Sequence, residues 1–238
     1  MKTETKIIAA VVAFILGILL WADSAKAADI QILDTEIGPV VTFEGQIEVG
    51  DAERLDAIMT ESGSDKVVMS SPGGNALEGY KIGGVLSSHE ATVMVPEGFA
   101  CISACANAFL GAKTYIVKGV LAFHVAWVDE DSARTLNSGV AAGQFLGTQS
   151  TIYFVSNGFS LELPMMINTF TTRDRFLVIT STEELLTFYV RNDNEGEVDA
   201  MGPYLAPSGH DAQWYLQRLM GTEGILTVLR TQRGVTTG

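Results

Sequence analysis

Two rhythms of hydrophobic residues run along this chain. Short apolar runs over residues 66–70, 91–95, 114–117 and 120–123 have the length and β-branched content of buried strands. Leu55, Ile58 and Met59 fall at helical spacing, as do Leu77, Ile82, Val85 and Leu86, and they predict a helix over 49–60 and another from residue 77 onward. Asp51 and Glu53 suit the first turn of the former, where a carboxylate meets the positive end of the helix dipole. Residues 30–33 and 40–43 add two short strands, and 103–110 a further helix. Residues 129–171 are mostly helical in pattern with a break at Asn157-Gly158, and a helix over 212–220 follows an acidic loop at 193–199.

Strands alternating with helices predict an α/β fold with a largely parallel sheet. Ligands in such sheets bind beyond the C-terminal ends of the strands. Gly73-Gly74 and Ser103 both fall at strand-to-helix passages, so they are expected to meet on one edge.

The first thirty residues break the pattern. Lys2 and Lys6, an apolar run over 7–22, and small residues at Ala25 and Ala27 form a secretory signal, with cleavage expected after Ala27. The alternative is an uncleaved membrane anchor, since the run approaches the roughly 20 apolar residues that span a bilayer. On both readings the folded part is exported, to the periplasm. The chain then divides into residues 1–27, a main domain over 28–195 and a C-terminal extension over 196–238, read as a lid or a docking element. A hydrophobic content of 47% suffices for one sizeable core. The net charge of −13 repels phosphates and argues against nucleic acid or anionic lipid as a partner. Two cysteines, Cys101 and Cys105, are too few for a zinc ligand set or a multi-bridge scaffold, and no metal or cofactor is expected.

Ser103 lies in Cys101-Ile-Ser-Ala-Cys105, among small residues. A serine hydroxyl is a poor nucleophile until a base takes its proton, and the oxyanion it creates needs rigid donors. Of His89, His124 and His210, His124 follows the apolar run 120–123, which would hold its ring at a sheet edge. Ser71-Pro-Gly-Gly74 offers a loop bare enough for backbone N–H groups to approach a carbonyl, and Asp174 stands between Arg173 and Arg175 as a candidate acid. Each has a plainer reading taken alone: a packed helix start, a structural histidine, a turn, a surface ion-pair cluster.

Together they are specific. Gly74, Ser103, His124 and Asp174, in this order and at these separations, with Thr172-Arg-Asp-Arg-Phe-Leu177 and then Glu183-Glu-Leu185 and Phe188-Tyr189, resemble the proteolytic subunit of Clp protease in the Clp protease/crotonase superfamily. The resemblance spans about residues 30–192. It implies repeated β-β-α units with a helical handle region. It makes Ser103 the nucleophile, His124 the general base and then acid, and Asp174 the group that orients the imidazole. Backbone N–H groups of Gly74 and Ala104 would form the oxyanion hole, with Gly73 supporting the loop. The implied activity is that of an ATP-independent serine peptidase acting on peptides or unfolded chains, with no ATPase partner, because no unfoldase is expected outside the cytoplasm. A homo-oligomer stays open, and a membrane enters only if the first segment is uncleaved. The Ser, His, Asp order is neither that of chymotrypsin nor that of the α/β-hydrolases, and no Gly-x-Ser-x-Gly elbow is present.

The chain departs from the family's pattern in places. The segment from Ser103 to His124 is shorter, His124-Val-Ala-Trp127 stands where His-Gln-Pro is usual, and the handle over 132–155 carries an apolar Gln144-Phe-Leu-Gly147 stretch. Cys101 and Cys105 bracket the nucleophile, as a disulfide or as two packed thiols. These departures keep a catalytically inactive Clp-like binding or assembly protein of the cell envelope as the alternative function. Lys113 and Lys118 raise a Ser-Lys dyad of the kind in signal peptide peptidase A. A crotonase-type acyl-thioester reaction ranks last, since coenzyme A is not expected in an exported compartment.

Overall fold

A computed structural model describes residues 27–126, 136–190 and 208–234. The segment before Ala27 expected to be a secretory signal, Trp127 and the acidic stretch 193–199 lie outside the described residues. Strands β1 (Asp29–Thr35) and β2 (Gly38–Glu44) form an antiparallel hairpin whose turn is tied by Thr35, its hydroxyl donating to the Gly38 carbonyl at 2.6 Å. Then come α1 (Asp51–Ser62), β3 (Lys66–Ser70), α2 (Ala76–Ser88), β4 (Thr92–Val95), β5 (Ala100–Ile102), α3 (Ala104–Phe109), β6 (Thr114–Val117) and β7 (Val120–Phe123). The remainder is α4 (Leu136–Ser156), α5 (Glu162–Phe170), β8 (Phe176–Ile179), α6 (Thr182–Leu186), α7 (Ala212–Arg218), β9 (Leu219–Met220) and α8 (Thr222–Gln232). The β-β-α unit recurs as β1-β2-α1, β4-β5-α3 and β6-β7-α4.

The strands divide between two sheets, in the orders β1-β2-β3-β4-β6 and β5-β7-β8-β9. Outside the β1–β2 hairpin the first is parallel, and so is the β5–β7 pair, while β8 and β9 run antiparallel to their neighbours. The sheets meet where β3 ends. Ser71 N–H donates to the Ala100 carbonyl and Ile102 N–H to the Ser71 carbonyl, both at 2.9 Å. Leu55, Met59, Ile82, Leu86 and Phe109 bury their helices against Phe43, Met69 and Val93. The small residues Ala104, Cys105, Ala106 and Ala108 are all buried, which lets α3 run through the middle of this core.

The C-terminal extension is woven into the second sheet. β9 pairs Met220 with Phe176 and Leu219 with Leu177, and Tyr215 and Ile225 are buried. Arg218 pairs with Glu184, and Glu162 accepts from the Tyr215 hydroxyl and from Ser208 N–H. Sheet pairing at Leu219 ends the helix expected over 212–220 at Arg218.

Candidate active site

Three strand ends and one loop converge on the predicted residues. Ser103 follows β5, whose Ile102 lies opposite Ala122 of β7. Its N–H donates to the Ala122 carbonyl at 2.8 Å and its carbonyl accepts from Asn107 N–H at 3.0 Å. Held at both ends, Ser103 takes φ 59° and ψ −122°, a conformation that costs a residue with a side chain about 1–3 kcal/mol. The sharp turn ends β5, starts α3 and sets Ser103 on the wall of a cavity of about 690 Å³. Gly74, Asn107, His124 and Asp174 line the same cavity.

A disulfide joins Cys101 to Cys105, with the Cα atoms 5.1 Å apart, and closes a loop around Ser103. In a continuous helix these side chains would be poorly aimed at each other. Cys101 lies instead on a strand and the chain turns at Ser103, which brings the two together.

His124 directly follows β7, and Asp174 lies in the 172–175 turn that leads into β8, where Thr172 N–H donates to the Arg175 carbonyl at 3.0 Å. Because β7 and β8 are antiparallel, with Phe123 opposite Leu177, these two segments run side by side. Thr171 fastens them, its hydroxyl accepting from Val125 N–H at 2.8 Å and donating to the Ile167 carbonyl at 2.7 Å. The His124 ring packs edge-on to Phe176 at 4.9 Å between centroids. Burial holds the imidazole below its ordinary pKa, with the Asp174 charge pulling weakly the other way. Its Nδ1 is buried without a partner, Asp174 is exposed, and among the described residues no hydrogen bond joins His124 to Ser103 or to Asp174. The three residues share one cavity in an open arrangement.

The glycine loop is fixed from behind. Ser71 Oγ accepts from Gly73 N–H at 3.0 Å, Ile47 N–H donates to the Gly73 carbonyl at 2.8 Å, and Asn75 N–H donates to the Ile47 carbonyl at 2.9 Å. The N–H groups of Gly74 and Ala104 have no acceptor among the described residues. Gly74 lines the cavity together with Ser103, and Ala104 directly follows Ser103 as the first residue of α3.

The remaining candidates stand elsewhere. Lys113 and Lys118 are exposed and line no part of the cavity, so the dyad is set aside. His89 bonds Asp56 at 2.8 Å, and His210 stacks on Trp214 at 3.6 Å while bonding Thr187 at 2.8 Å. Thr171 and Ile47 position the site and carry no sequence signal that marks them out, whereas Phe176, which packs on the His124 ring, belongs to the Thr172–Leu177 motif.

No family model matches the chain, and no curated protein matches it. Among solved structures it is similar to a mutant of the 1510-N membrane-bound stomatin-specific protease in complex with a substrate peptide, at 18% identity and a TM-score of 0.44, over 63% of this chain and 71% of that one. It is also similar to a mutant of ClpP1 from Listeria monocytogenes, at 17% identity and a TM-score of 0.46, over 67% of this chain and 92% of that one.

Proposed function

We propose that this chain is an exported, ATP-independent serine hydrolase that cleaves peptides or unfolded chains. The observation that carries the reading is Ser103, a non-glycine residue held at positive φ on a cavity that it shares with His124 and with Gly74, whose backbone N–H has no acceptor among the described residues. Strain of this kind persists where the surroundings over-determine it, and at a strand-to-helix turn it presents a side chain to a ligand. Peptides are chosen as the substrate class from the Clp-like order of Gly74, Ser103, His124 and Asp174.

In this mechanism Ser103 Oγ attacks the scissile carbonyl as His124 takes its proton. Gly74 and Ala104 N–H groups receive the oxyanion, and His124 returns the proton to the leaving amine. Water then resolves the acyl-enzyme by the same steps in reverse roles. Asp174 acts by turning toward His124 Nδ1, the atom left without a partner, when substrate excludes water from the cavity. A fluorophosphonate probe tests the proposal: the label is expected on the peptide that contains Ser103. An unlabelled protein would favour the silent binding reading, which draws on the open Ser103–His124–Asp174 arrangement.

The base must be neutral to act. Since burial lowers the His124 pKa, kcat/KM is expected to fall only below a midpoint under the ordinary histidine value of about 6.5 and to be flat through neutrality. An acid limb centred above 7 in a pH–rate profile would remove His124 from the role.

The extension bears on the same site. No described residue of it lines the cavity, and Gly221 lies beside the Asp174 carbonyl while β9 borders β8. Deleting residues 196–238 is therefore expected to slow ester hydrolysis and to destabilise the protein, burial of Tyr215 and Ile225 alone being worth about 3–6 kcal/mol. A faster rate at unchanged Tm would instead make the extension a lid.

A further inference from the structure

Asp51, the first residue of α1, has its carboxylate fully buried. Its Oδ1 accepts from Arg54 Nη1 at 2.7 Å, and its Oδ2 accepts from Glu48 N–H at 2.8 Å and from Ala28 N–H at 3.2 Å. Arg54 is the cation on this carboxylate among the described residues, and its side chain is 46% exposed. The same Arg54 nitrogen donates to the Ala28 carbonyl at 2.9 Å. Asp51 and Arg54 thus grip both polar ends of Ala28, a residue only 1% exposed. A neutral peptide N–H does not require a buried carboxylate; a cation does.

Ala28 is also the residue that becomes first when cleavage follows Ala27. Ala27 is exposed, so its removal opens the amine side to water while Ala28 stays seated. We infer that hydrolysis of the Ala27–Ala28 bond turns this N–H into an α-ammonium that pairs with Asp51 Oδ2, making Asp51 the receptor for the protein's own mature N-terminus. Water supplies the hydroxyl that leaves with the Ala27 carboxylate and the proton that goes to the new amine, which takes up a second proton at neutral pH. One carboxylate then serves two cations, each on its own oxygen. The other N–H bonds of the ammonium point where Ala27 stood and are satisfied by water.

This receptor is tied to the glycine loop. Asp51 Oδ2 holds Glu48 N–H, and the neighbouring Ile47 brackets Gly74 through its bonds to Gly73 and Asn75. Glu78, itself buried, holds the other side of the same helix start by accepting from Gly50 N–H at 3.0 Å and Ala52 N–H at 2.9 Å. Processing at Ala27 therefore firms one anchor of a loop whose far end sets Gly73 and Gly74. The consequence for Ser103 rests on the hydrolase reading above; the receptor itself does not.

The test uses the precursor exported from a host with a signal peptidase. N-terminal sequencing and intact mass are expected to give Ala28 as the first residue. The Ala28 amine of the native protein should then react with an acylating reagent at neutral pH at least about tenfold more slowly than in the denatured protein, as a one-unit rise in its pKa would produce. Asp51→Asn should remove most of that protection; should it fail to fold, Arg54→Ala keeps the receptor carboxylate and is expected to keep the protection. A first residue other than Ala28, or an amine acylated equally fast native and denatured, overturns the inference. Fluorophosphonate labelling of Ser103 reads the link separately, and it is expected to be slower in a precursor held uncleaved by Ala27→Tyr. Equal rates overturn the link to the loop, and no labelling of either form counts against the hydrolase reading while amine protection still decides the receptor.

Discussion

Ser103→Ala is expected to lower kcat on a short peptide or ester by at least about 10³-fold and to abolish fluorophosphonate labelling. The backbone at position 103 makes this a clean experiment. Alanine keeps a Cβ, so the variant retains the φ of 59° and the same steric cost, and the Ser103 N–H bond to the Ala122 carbonyl is a backbone contact that survives. The Cys101–Cys105 bridge closes around position 103 and does not involve its side chain. Tm should therefore move little, because the hydroxyl has no hydrogen-bond partner to lose among the described residues. KM should also hold, since the oxygen that is removed makes its bond only in the reaction. A variant that still labels, or that hydrolyses at the parent rate, would place the nucleophile elsewhere.

How far the sequence speaks depends on the length and surroundings of each segment. The strands at Lys66–Ser70, Thr114–Val117 and Val120–Phe123 have the limits that their apolar runs predict, because each run is bounded by polar or glycine residues and places at least one side chain in the core. β5 and β9, with three and two residues, are too short for any periodicity to declare them and exist through their partners in the second sheet. The split into two sheets follows from β5, which leaves β4 to pair with β7. α8 is not among the predicted helices, although Ile225, Val228 and Leu229 lie at helical spacing; they pack on the second sheet.

The candidate site was legible as an order of residues and not as a geometry. Gly74, Ser103, His124 and Asp174 could be named because their order and separations resemble those of the Clp proteolytic subunit, not because any one of them is specific alone. The left-handed backbone of Ser103 was not legible, since it results from the Ala122 and Asn107 bonds acting on one residue. The disulfide was undecided in the sequence for the same reason: a spacing of four closes on a strand-turn-helix path and strains on a helical one. Thr171 holds its neighbours' backbone through its hydroxyl and Ile47 through its own N–H and carbonyl, roles that no motif records.

Gly73→Ala should be nearly as damaging as loss of the nucleophile, for a steric reason. Gly73 has φ 93°, and a Cβ placed on it would lie 2.6 Å from the Ile102 carbonyl oxygen and 2.8 Å from Ser103 Cβ. Neither neighbour yields easily: Ile102 belongs to β5 and its N–H is bonded to the Ser71 carbonyl at 2.9 Å, while Ser103 is the strained turn itself. The methyl must push the loop and the nucleophile apart. The combined backbone strain and displacement is expected to cost about 2–4 kcal/mol of stability. Shifting Gly74 N–H removes one oxyanion donor, worth about 10²–10³-fold in kcat. Because that donor grips an oxygen only as it becomes charged, KM should change far less than kcat. Gly38→Ala supplies the comparison, having a similar φ of 95° with nothing within 4 Å of the added carbon. It bears the conformational cost without the clash, so kinetics and thermal unfolding on both variants separate the two effects. Should Gly38→Ala reduce kcat as much as Gly73→Ala, close packing of the glycine loop against Ser103 is not what sets the site.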